Sequence, residues 1–157
     1  MSWKDILKLD IEERIRGILS NWLDSVLDWS EEVKGEITNQ NLKIQEEYNQ
    51  LMNMISEAPE YLQEAMRNLA PTNINELMEI MEETSEKVDE LMEVIDKVKS
   101  MINNEDIAVN RILNSIQTHG LVESIAVMDS FSDHKSPTAP NMDRLIGQLT
   151  LGEGYEE

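Results

Sequence analysis

Residues 74–102 read INELMEIMEETSEKVDELMEVIDKVKSMI, and the fold is decided there. With Ile74 at heptad position a, Met81, Val88, Ile95 and Ile102 also fall at a, while Leu77, Thr84, Leu91 and Val98 fall at d. Val109, Ile112 and Ile116 carry the same register further. β-Branched residues at a with Leu at d are the preference of parallel two-stranded coils. Yet Met78, Met92 and Leu113 lie at e, and Ile80, Val94, Met101 and Ala108 at g. A lone dimer would leave much of that width in water, so a bundle or a higher-order coil suits the stripe better. The expected fold is all-α: an elongated helical bundle or coiled coil built on this heptad-containing helix.

The heptad stumbles at Asn103-Asn104-Glu105-Asp106. Either the helix pauses and Asn104 caps a new one, or a polar layer locally opens a continuous coil. An unbroken helix from Ile74 to Thr118 would be about 67 Å long. His119-Gly120 then reads as a C-cap, with Gly able to take the left-handed conformation. If the helix instead continued through Gly120, His119 and Glu123 could pair four residues apart. Leu121 to Phe131 is apolar enough for a short helix or a strand.

Toward the N-terminus, Leu7, Ile11, Ile15, Leu19, Leu23 and Val26 recur at helical spacing. Ser2 with Asp5 three residues on is a weak capping box. Ser30-Glu31-Glu32 could restart a helix after a bend near residue 30. A second row, Ile37, Asn41, Ile44, Tyr48, Leu51 and Ile55, approaches Pro59, which removes an internal hydrogen bond and so marks a break over 57–59. A helix from Pro59 to about Leu69 follows, then a linker at Ala70-Pro71-Thr72-Asn73 in which Thr72 or Asn73 can cap what comes next.

Beyond the body, taken as 1–131, residues 131–141 read FSDHKSPTAPN and form a Pro-containing linker. A short helical module follows, with Asn141 as its cap and Met142, Leu145, Ile146 and Leu149 on one face. About three turns are too few for an isolated helix, so this face needs a cover. The acidic end Gly152 to Glu157 closes the chain. Domain organisation is thus read as a helical body, 1–131, and a linker, docking segment and tail, 132–157.

Composition narrows function more than it names it. The 157 residues hold 13 Lys plus Arg against 32 Asp plus Glu, a formal charge of −19. Such charge repels nucleic acid and anionic lipid, so neither direct nucleic-acid binding nor membrane association is expected. Cysteine is absent and only two His occur, which removes disulfides, thiolate metal sites and cysteine nucleophiles. No Gly-rich phosphate loop, nucleophile elbow or Glu-x-x-His pair is present. No cofactor, no metal and no enzymatic activity are expected. The first residues, MSWKDILK, lack the apolar core of a secretion signal, and no run is long enough to span a bilayer. The expected location is the cytoplasm or an intracellularly assembled particle.

These readings converge on a structural, scaffolding or adaptor protein that self-associates through helices and contacts at least one other protein in a larger assembly. The expected oligomerisation residues are Ile74, Leu77, Met81, Val88, Leu91, Ile95, Val98 and Ile102; Met142, Leu145, Ile146 and Leu149 are the expected partner-docking face. The alternative is an acidic inhibitor or decoy that blocks a basic groove of a nucleic-acid-processing protein through Glu79, Glu83, Glu86 and Glu90. Ordinary solvation of an amphipathic helix also explains that acidic face.

Overall fold

The computed structural model describes residues 2–69 and 74–154, without the side chains of Leu69 and of residues 151–154. The described chain is all-α, with six helices: α1 Trp3–Glu57, α2 Glu60–Leu69, α3 Ile74–Asn103, α4 Val109–Thr118, α5 Leu121–Asp129 and α6 Met142–Gly154. The Ala70–Asn73 linker with its cap, and the acidic end at 155–157, lie outside the described residues.

Helix α1 opens on a reciprocal cap. The Ser2 hydroxyl accepts from the Asp5 amide at 3.3 Å, and the Asp5 carboxylate accepts from the Ser2 amide at 3.2 Å. The bend considered near residue 30 does not form, and α1 runs through Ser30 without interruption. The buried Ser30 hydroxyl donates back to the Val26 carbonyl at 2.7 Å. Its donor is therefore satisfied inside the helix instead of capping a new one. Val26, Trp29 and Val33 on either side are buried, which requires one continuous face.

Pro59 ends α1 as its chemistry demands. The Pro59 carbonyl accepts from Leu62 at 2.9 Å and Gln63 at 3.2 Å, starting α2. The Gln63 side-chain amide reaches back to the Ala58 carbonyl at 3.0 Å, near the end of α1 where carbonyls lack helical partners.

The chain divides into two compact units, residues 1–31 with 89–157, and residues 32–88. Unit 1 has a dense apolar core. Ile15, Leu19, Trp22, Leu23, Val26 and Trp29 of α1 are buried, as are Leu91, Ile95, Val98 and Ile102 of α3. So are Val109, Ile112, Leu113 and Ile116 of α4, Leu121, Ile125 and Met128 of α5, and Leu145 of α6. Helix α4 packs against both α5 and α6. In unit 2 the buried apolar residues among those described are Val33, Ile55 and Val88.

The polar interruption after residue 102 is a true helix break. Helix α3 stops at Asn103, the Asn104 side chain accepts from the Asp106 amide at 3.0 Å, and α4 starts at Val109. Asn104 thus closes a local turn; the residue that precedes α4 is Ala108, whose carbonyl accepts from Arg111 and Ile112. The Arg16 guanidinium spans the break, donating to the carbonyls of Ile102 at 2.6 Å, Asn104 at 3.3 Å and Ile107. A permanent cation at a helix C-terminus meets both the unpaired carbonyls and the negative end of the helix dipole.

Gly120 takes the left-handed conformation, φ 61°, between α4 and α5, and the amides of His119 and Gly120 close the last turn of α4. Leu121 to Asp129 forms a helix, the first of the two expectations for that run. The helix does not continue through Gly120, so His119 and Glu123 do not share an i,i+4 register.

Candidate functional site

Proline and small polar residues shape the segment between α5 and α6, and it is anchored along its length. The Trp29 indole donates to the His134 carbonyl at 3.0 Å, and the Asp129 carboxylate accepts from the Ser136 amide at 2.9 Å. The Asn141 side chain accepts from the Arg144 amide at 3.2 Å, capping α6 as its position suggests. The four residues expected to dock a partner separate on this helix. Leu145 is buried in unit 1, Met142 and Leu149 are half-buried, and Ile146 is 39% exposed.

The eight heptad residues expected to drive association divide in the same way. Val88, Leu91, Ile95, Val98 and Ile102 are buried within the single chain. Ile74 and Met81 are half-buried, and Leu77 is 43% exposed. Ile80, at a neighbouring g position, is 54% exposed. On α2 the apolar row is also open, with Leu62 41% exposed, Ala65 exposed and Met66 half-buried.

The acids of α3 stand in solvent. Glu79, Glu83, Glu86 and Glu90 are all exposed, and so are Glu76, Glu82, Glu93 and Asp96. The Lys99 ammonium of α3 lies 2.5 Å from a carboxylate oxygen of Asp24 on α1. That hydrogen bond holds Lys99 above the ordinary lysine range, with the charges of Asp24, Asp96 and Asp28 adding to it and partial burial pulling the other way.

Two buried polar atoms among the described residues have no hydrogen-bond partner, the Trp22 indole nitrogen and the Asn41 amide oxygen. Neither had a signal in the sequence beyond Asn41 interrupting an apolar row. The described residues contain no group of three or more His, Cys, Asp or Glu placed to hold a metal ion, and no helix long and apolar enough to cross a membrane.

In comparisons with known proteins, the chain matches no protein-family model, no curated protein and no solved structure. The features available for a functional reading are therefore its own: an apolar shoulder on α3, an open row on α2 and a solvent-facing acidic band.

Proposed function

We propose that the protein is a nonenzymatic structural, scaffolding or adaptor subunit that acts by helix-mediated association within a larger assembly. The observation that supports this reading is the open apolar flank of α3, where Leu77 and Ile80 stay exposed beside the half-buried Ile74 and Met81. A clustered apolar surface rimmed by polar residues commonly marks a protein–protein contact. In this reading Ile74, Leu77 and Met81 present a coiled-coil-like face to an incoming helix, and Ile146 on α6 offers a further contact. The five buried heptad residues from Val88 to Ile102 serve the chain's own core.

The test is light scattering coupled to gel filtration on the full chain, combined with capture of partners from the native source. An oligomeric mass, or capture of a defined assembly component, is expected to disappear in Leu77→Ser with Ile80→Ser. A monomer that captures nothing through this surface overturns the reading.

The exposure of Glu79, Glu83, Glu86 and Glu90 favours a second reading, an acidic decoy that covers a basic groove of a nucleic-acid-processing protein. Reversing these four to Lys should abolish decoy binding, whereas a scaffold should depend on the apolar positions instead.

A further inference from the structure

We infer that the shoulder of α3 formed by Leu77 and Ile80, with Glu76 and Glu83 along its edge, docks a basic amphipathic helix of a different protein. The inference rests on the association reading above and names the chemistry of the partner. Successive residues turn about 100° around a helix axis, so Ile74, Met81 and Val88 share the covered side of α3 while Leu77 and Ile80 extend the stripe to one flank. Burial follows that order: Val88 is buried, Ile74 and Met81 are half-buried, and Leu77 and Ile80 are exposed. Around the helix from Ile80, within about one turn along the axis, stand the acids Glu76 at about 40° and Glu83 at about 60°; Lys87, two turns on, lies at about 20°, so the edge holds two acids against one base. Lys87 is the one base between Ile74 and Asp96.

An apolar strip with an acidic rim fits a helix that lays down its own apolar anchors and brings Lys or Arg at the edges. A second copy of this chain fits poorly. Residues 57–86 carry eight carboxylates and one base, Arg67, so pairing this surface with itself sets like charges together. Nor can another helix of the chain supply the bases. Only α4 has a positive balance, through Arg111 alone, and its apolar residues Val109, Ile112, Leu113 and Ile116 are buried. The apolar requirement also separates this partner from a basic groove that reads charge alone.

The experiment titrates the full chain into a labelled synthetic peptide of about 18 residues, with Leu on one helical face and Lys on the other. A version with Glu in place of Lys, and a scrambled version without a face, serve as controls. The Leu/Lys peptide is expected to bind, the Glu version to fail, and the scrambled version to bind at least about tenfold more weakly. Leu77→Ser with Ile80→Ser should weaken binding by about tenfold or more. Glu76→Gln, Glu79→Gln and Glu83→Gln together should weaken it by a similar factor while circular dichroism stays unchanged. Removing three acids elsewhere on α3, by Glu90→Gln, Glu93→Gln and Asp96→Asn, should change affinity by no more than about twofold. Equal losses in the two triple variants would mean diffuse charge attraction and overturn the proposal. So would full retention of binding in the Leu77 and Ile80 variant. If the chain is a dimer that Leu77→Ser with Ile80→Ser converts to monomer, the occupant is a second copy; the proposal falls and the association reading stands. A chain that neither self-associates, captures a partner nor binds the peptide overturns both.

Discussion

The first half of α3, residues 74–88, and its second half, residues 89–103, carry the same heptad signature but meet different environments. In the second half Leu91, Ile95, Val98 and Ile102 are buried in the core of unit 1. In the first half Val88 alone is buried, and Leu77 and Ile80 stand in water. A periodic apolar stripe records that a helix will be covered; it does not record by which chain. The same letters therefore serve an internal core in one half and leave an open surface in the other.

The largest expected effect separates the two halves directly. Ile95→Ala should destabilise the protein by about 2–5 kcal/mol, because it leaves a cavity in a packed interior. Ile80→Ala, on an exposed position, should change stability by less than about 0.5 kcal/mol. Denaturant titration of both variants checks this, and similar losses would erase the distinction between the halves.

Arg16→Met should follow in size, at about 1.5–3 kcal/mol, since hydrogen bonds from a charged donor to the carbonyls of Ile102, Asn104 and Ile107 are lost. Amide exchange is expected to accelerate over residues 104–108, with unit 2 unaffected. A loss of protection spread evenly over both units would show that the break depends on the whole fold.

Much of the architecture was legible from local chemistry. Pro59, His119-Gly120 and Asn141 each marked a helix boundary through a backbone requirement that a few adjacent residues satisfy, while the polar run from Asn103 left a break and a continuous coil both open. Ser30 misled because Ser-Glu-Glu suits a helix start, while Val26, Trp29 and Val33 are buried on either side of it and α1 continues as helix. Arg16 was not legible at all. Its carbonyl partners lie more than eighty residues away, and an Arg on a charged helix ordinarily reads as solvated surface. The candidate surface was half legible: the apolar face of α3 could be drawn in full, but the division between its covered and open parts depends on packing from distant segments.

Asn41 sharpens the comparison from the side of unit 2. Its buried amide oxygen has no partner, so Asn41→Leu should remove an unsatisfied polar group and raise stability by about 1 kcal/mol. A thermal midpoint higher by about 2–4 °C is the expected reading. A fall would mean that this oxygen acquires a partner in solution.

The smallest effect is alkaline. Lys99 is raised above the ordinary value of 10.5 by its bond to Asp24, so its stabilising contribution is complete below that value and is lost as pH rises through the folded-state pKa. The stability difference between wild type and Asp24→Asn should be constant up to about pH 10 and shrink above it. A difference that persists unchanged well above that range would assign the effect to packing instead of charge.

Unit 1 is assembled from residues 1–31 and 89–157, with all of residues 32–88 between them in the chain. Synthesis proceeds at roughly 5–20 residues per second, so the first segment exists for several seconds before the rest of its core has been made. Throughout that interval Ile15, Leu19, Leu23 and Val26 have no native partners from the later segment. Local helix formation can begin early, but closure of this core must wait for the long loop to bring residues 89 onward back to the start. The unit with the best-packed interior consequently finishes folding only after the other has been made, and the nascent chain carries an unprotected apolar face until residues 89 onward emerge.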